Sequence, residues 1–266
     1  MAKLYSFDDH SEHRERLGEV RDKWIGIAMR TRPMDDGDRE AMRAAVGGLY
    51  RAANLTPPPR ERIVFVPSPF VLRFAGGFAA AIWHMRKGGA ATGAATWAAT
   101  EAATWAATRA ATEAATRAAT RAATEAATRA ATRAATWDTA DGDHWYRGVA
   151  GCVAANPAGR FGLRCAERAY AMWQGGNQWA AYPAYLGFFR DVARLPIDWT
   201  KYQHWEDAAI HGGPRIMHPE FCMISDFPIV LTVDADNRPH NDTGPFCQWS
   251  DGTALYAIHG TRVPWW

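Results

Sequence analysis

A chain of 266 residues, 48% of them hydrophobic and 13 of them Trp, has apolar side chain enough for one large domain or two modest ones. Its net charge of +2 is too small to argue for nucleic acid as a partner. No stretch reaches the roughly 18–20 apolar residues that cross a bilayer.

Charge is spread unevenly. Residues 1–88 hold 15 basic and 11 acidic side chains, residues 89–136 hold 5 and 3, and residues 137–266 hold 10 and 14, so the two ends attract each other. The opening MAKLYSFDDHSEHRER has no apolar segment and does not read as a secretory leader. Cys152, Cys165, Cys222 and Cys247 lack CxxC spacing, which points to free thiols in a cytoplasmic protein.

In chain order, Leu17, Val20, Trp24 and Ile27 recur at helical spacing in a helix that should end before Pro33. Asp38 is placed to cap a second helix carrying Met42, Val46 and Leu49, which Pro57, Pro58 and Pro59 rule off. Ile63–Val66 is β-branched and aromatic, hence a buried strand. Ser68-Pro69 supplies a cap and first turn for an apolar helix running through Trp83.

From Gly89 the word x-Ala-Ala-Thr occurs 12 times, and Trp137 opens a decaying thirteenth copy. Ala, Arg and Glu favour a helix, which over 12 copies would be a rod of about 70 Å. Four residues advance about 400° on an α-helix, so equivalent positions drift about 40° per word and no face stays apolar. A β-solenoid gives every copy the same environment and is the alternative, although alanine fills little core. Helix is the favoured reading.

Beyond the repeat, residues 164–173 and 179–192 read as aromatic-rich helices, the second ended by Pro196, and residues 205–210 as a short turn of helix. Ile229–Val233 reads as a strand. Phe246–Trp249 and Ala254–Ile258 read as a hairpin turned by Asp251-Gly252. The expected fold class is α+β: a mainly helical body in two parts, residues 1–88 and 137–266, with a small C-terminal antiparallel sheet, interrupted by the repeat at 89–136.

The flanks carry a resemblance. EVRDKWIGIAMRTRPMDDGDREAMRAAVGGLYRAANLTPPPRERIVFVPSP, QWAAYPAYLGFFRDV and RPHNDTGPFCQWSDGTALYAIHGTRVPWW together resemble the bacterial family of domain of unknown function 6745, whose signature reads H-N-x-x-GP, DG, LY and HG-x-R-VP in order. Members of that family often carry variable tetrapeptide repeats at this place. The resemblance implies no catalytic residue, and similar proteins usually continue well past the VP.

Candidate chemistry gathers in the last third. His218 and Cys222 are four apart and, with Cys247 and His240, could form a zinc set, although the spacing matches no standard pattern. His240 and Asp242 could act as base and orienting carboxylate; Asn241-Asp242-Thr243-Gly244-Pro245 is equally a turn. In the repeat, Arg109, Arg117, Arg121, Arg129 and Arg133 could track a phosphate backbone, and Trp97, Trp105 and Trp137 could stack on bases or anchor a protein partner. Glu101, Glu113 and Glu125 interrupt that basic run. The leading expectation is therefore a non-catalytic interaction protein with no cofactor and no membrane partner. Its repeat serves as spacer arm or self-association surface. A metal-assisted enzyme and a repeat-mediated nucleic-acid binder are the alternatives.

Overall fold

The computed structural model describes residues 10–87 and 175–263. The tetrapeptide segment and the helix expected over 164–173 lie outside them, as do Cys152 and Cys165.

Helix α1 (Ser11–Glu15) leads directly into α2 (Leu17–Ala28). Three of the four residues expected on the α2 stripe pack together, Trp24 buried beside Ala180 and Ala209 with Val20, Ile27 and Ala184 around it, whereas Leu17 at the helix start is exposed. α3 (Asp36–Ala52) starts three residues earlier than an Asp38 cap would place it. Asp35 is the N-cap, and Asp38 completes a capping box in which each side chain accepts the other residue's N–H.

Asp38 has a further duty. It is buried and also accepts from Arg30 and from His211 Nδ1 at 3.0 Å, tying the end of α2 and the end of α6 (Thr200–His211) to the start of α3. Burial alone would raise its pKa. The Arg30 guanidinium, His211 and the Asp35 N–H outweigh that and hold the carboxyl well below the usual range.

Strand β1 (Ile63–Val66) forms as expected, and Ser68 caps α4 (Pro69–Arg86) by accepting the Val71 N–H at 3.2 Å. α5 (Ala181–Asp191) lies within the aromatic segment, and α6 is longer than the short turn read at 205–210.

The unanticipated elements are β2 (Arg215–His218) and β3 (Phe221–Ser225), a hairpin turned at Pro219-Glu220. Strand β3 is central. β2 pairs with it antiparallel and β1 pairs with it parallel, in the order β1-β3-β2. The principal sheet is thus mixed, and its parallel edge strand comes from before the repeat.

Alternation sorts the side chains into two faces. Ile63, Cys222 and Ile224, with Phe65 and Met217 alongside, pack on Met42, Val46, Leu49 and Tyr50 of α3 and on Ala208 of α6. Val66, Ile216, Phe221 and Met223 pack on Leu72 and Ala80 of α4. The result is helix, sheet, helix pair. Each fully buried Leu, Ile, Val or Met in these clusters contributes about 1.5–3 kcal/mol. Tyr50 braces the hairpin by donating its hydroxyl to the His218 carbonyl at 2.6 Å and the Phe221 carbonyl at 3.2 Å.

Short strands follow: β4 (Val230–Leu231), β5 (Cys247–Gln248) and β6 (Ala254–Leu255) form a second antiparallel sheet, and β7 (Ala257–Ile258) pairs with β8 (Thr261–Arg262). The expected Asp251-Gly252 turn is present, with Gly252 at φ +86° and the Trp249 N–H bonded to the Thr253 carbonyl at 2.9 Å. The single strand expected over 254–258 divides at Tyr256 between two hairpins. Among the described residues no helix is long and apolar enough to cross a membrane.

Candidate functional site

The loop DADNRPH between β4 and β5 folds around one carboxylate. Asp234 Oδ1 accepts the N–H groups of Asp236 at 3.0 Å and Arg238 at 2.9 Å, an Asx-type turn that places Asn237 at φ +59°. Arg238 Nε then donates to Asp234 Oδ2 at 2.8 Å. The Arg238 contact is the largest of several that hold the Asp234 carboxyl well below the ordinary range.

The β7–β8 hairpin turns on His259 and Gly260, both at positive φ (+46° and +81°), as a two-residue turn of the right twist requires. Such a φ is uncommon for histidine. Here it is fixed by contacts at both ends of the residue. His259 Nδ1 lies 2.9 Å from Asp234 Oδ2, and the His259 N–H donates to His240 Nδ1 at 3.1 Å. The two imidazoles stack face to face, with centroids 4.1 Å apart and planes within 12°. His240 Nε2 lies 3.3 Å from Asp242 Oδ2.

The structure thus brings together the expected pair His240 and Asp242. It adds Asp234, Arg238 and His259, which the sequence reading did not assemble. Chemically the two rings differ. His240 accepts at Nδ1 and so carries its proton on Nε2, which faces the exposed Asp242 carboxylate at 3.3 Å. His259 is oriented by a carboxylate at Nδ1, the arrangement used in proton transfer, but that carboxylate is shared with Arg238 and two backbone N–H groups. Among the described residues no hydroxyl or thiol hydrogen-bonds to either ring. The cluster does the work of a clasp between two hairpins.

The zinc set expected from His218, Cys222, His240 and Cys247 is not assembled. His218 pairs with Phe221 and stacks on its ring at 4.6 Å, whereas Cys222 pairs with Met217 and points to the other face of the sheet. Cys247 is buried in β5 of the second sheet. Both cysteines are free, and burial pushes both thiols up, Cys222 to about 12. The described metal-type grouping is elsewhere: His10, Glu12 and His13 present ligand atoms within 4.8 Å of one another, at a place the sequence reading passed over. Trp97, Trp105, Trp137 and the repeat arginines Arg109, Arg117, Arg121, Arg129 and Arg133 lie outside the described residues.

No family model, curated protein or solved structure matches the chain. The motif residues behind the family resemblance nevertheless have local physical roles. Gly252 and Gly260 adopt positive φ, Asn241 bonds the Pro245 carbonyl at 2.9 Å, and His240 and His259 form the clasp.

Asp234→Asn tests the clasp. It removes the charge that Arg238 and His259 share. Amide exchange at His259 and Gly260 should accelerate by roughly tenfold or more while exchange in β3 stays unchanged, as expected of local opening. Unaltered exchange at those two amides would show that the turn stands without the carboxylate.

Proposed function

We propose that the chain is a non-catalytic interaction protein, one α+β body carrying the tetrapeptide segment as an inserted arm through which copies of the chain associate. The observation that supports this reading is the parallel pairing of β1 with β3, of Ile63 with Cys222 through Val66 with Ser225. One strand precedes the repeat and the other follows it. A spacer separating two bodies would have no reason to share a sheet across itself, so the pairing favours the arm over the spacer.

The described residues on either side of 88–174 add to this. Lys87 forms an ion pair with Glu220 in the β2–β3 turn, and Gly175 lies against Arg215 at the far end of β2. A four-residue strand measures roughly 13 Å. The described chain thus leaves at Lys87 and resumes at Gly175 on the same body, with residues 88–174, the repeat among them, in between. The repeat itself offers small Ala and Thr side chains, which allow close approach, and both signs of charge, Glu and Arg, at the variable place. The motifs at both flanks support membership of the uncharacterised family named above, within which such inserts fit.

Removal of residues 89–136 is the test. The shortened chain should keep a cooperative unfolding transition and its near-ultraviolet circular dichroism, and should sediment as a monomer where the full chain sediments as an oligomer. A deletion of four copies should weaken association by an intermediate amount. A full chain that is monomeric at high micromolar concentration would overturn the proposal.

A further inference from the structure

Arg215 opens β2 opposite Ile224, on the sheet face that α3 covers, and is 6% exposed. Its Nε and Nη1 are buried with no hydrogen-bond partner. Two other buried charges of the body have charged partners: Asp38 has Arg30, and Glu206 has Arg190. No described carboxylate is matched to Arg215. The groups that act on it are the Cys222 thiol and the Tyr50 hydroxyl, both raised by burial and therefore neutral near pH 7. An arginine keeps its proton in proteins, so burying it with no counter-charge is strongly unfavourable.

The chain passing against this guanidinium is glycine. At Gly175, φ +61°, a Cβ would stand 3.0 Å from Nη2 and 3.1 Å from Nη1. At Gly176, φ +95°, a Cβ would stand 2.4 Å from the Gly213 carbonyl. The Asn177 N–H bonds the Gly212 carbonyl at 3.0 Å, and the Gly213 N–H bonds the Ser225 carbonyl at 3.2 Å. Two glycine pairs therefore cross beside Arg215 and bring backbone, with no side chain, up to its charged end. Glycine is the residue that lets backbone come this close to a charged group.

We propose that Arg215, with the Gly175-Gly176 backbone beside it, is a binding site for a small oxyanion, the carboxylate or phosphate group of a small molecule. The guanidinium supplies charge-assisted hydrogen bonds to the oxygens, and a side chain at either glycine would crowd the backbone beside it.

The test uses the full chain and two probes, inorganic phosphate and acetate, each titrated against chloride at constant ionic strength by calorimetry and by thermal unfolding. At least one probe should bind saturably and raise the melting temperature, and which one binds identifies the anion. Arg215→Met should weaken that binding by roughly tenfold or more, and in chloride should unfold no earlier than the wild type, because it removes a buried cation without a partner. Arg215→Lys keeps the charge and loses the planar fork, so it should bind weakly. Absence of saturable binding of either probe to the wild type overturns the site. So does equal binding by Arg215→Met, or equal binding by Arg215→Lys if the methionine variant does not fold.

Discussion

Arg190→Ala should destabilise the fold by about 3–5 kcal/mol, a loss far larger than a surface ion pair would produce. Arg190 lies near the end of α5 and reaches Glu206 on α6 through both terminal nitrogens, with Nη2 to Oε1 at 3.0 Å. Glu206 is 2% exposed. The same guanidinium donates to Gln203 at 2.9 Å and to Asp191 at 2.7 and 2.9 Å, and packs over the Tyr202 ring. Truncation therefore leaves a carboxylate inside the helix pair with no cation. The asymmetry is the diagnostic part. Arg190→Met combined with Glu206→Leu removes both charges and keeps apolar volume, and should recover most of the loss. Urea unfolding of the wild type, the alanine variant and the double variant decides it. Equal loss in the single and double variants would mean that shape, and not the charge, made the difference.

The elements that could be read in the sequence are those whose causes are local. Ser68-Pro69 contains both halves of its own signal, a side-chain acceptor and a fixed first turn, and α4 begins there. The α2 stripe of Val20, Trp24 and Ile27 needs only the helical period, and Asp251-Gly252 needs only one positive φ. The capping box at α3 shows the limit of this. Asp35 and Asp38 are equally good caps by residue type, and their roles separate only because Asp38 also meets Arg30 and His211, the latter 173 positions away.

The central sheet was hidden for two reasons. Its parallel pair joins Ile63–Val66 to Phe221–Ser225, and no local pattern announces a partner so distant. The other pair is a hairpin whose tight turn, Pro219-Glu220, lies between the two candidate ligands His218 and Cys222. That turn also defeats the metal reading. Four residues apart means one face on a helix, but across a two-residue turn it places His218 and Cys222 on opposite faces. At the candidate site the legible pair was His240 and Asp242, two positions apart. The stacked partner His259 and its carboxylate Asp234 are 25 positions apart and meet only because two hairpin turns are docked together.

Acid should weaken the fold earlier than its carboxylates alone would allow, and His218 is the cause. The ring is half-buried against Phe221, and its Nδ1 accepts the Glu220 N–H at 3.1 Å. Burial lowers its pKa to about 4, an effect that Glu220 opposes and that Lys87 reinforces. In the unfolded chain the same group titrates near 6.5. Between these values the unfolded chain takes up a proton that the folded chain refuses, so stability falls as pH is lowered from about 6.5 to about 4. A gap of this size corresponds to about 3 kcal/mol when complete, less what partial solvent contact screens. Below pH 4 the loss passes to Asp38, whose lowered folded pKa makes its contribution present above the usual carboxylate range and lost beneath it. His218→Asn can still accept the Glu220 N–H and never charges. Unfolding free energies at pH 7.5, 5.5 and 4.5 should therefore fall by about 2–3 kcal/mol more in the wild type than in the variant across that window. Parallel pH curves for the two proteins would place the acid sensitivity in some other group.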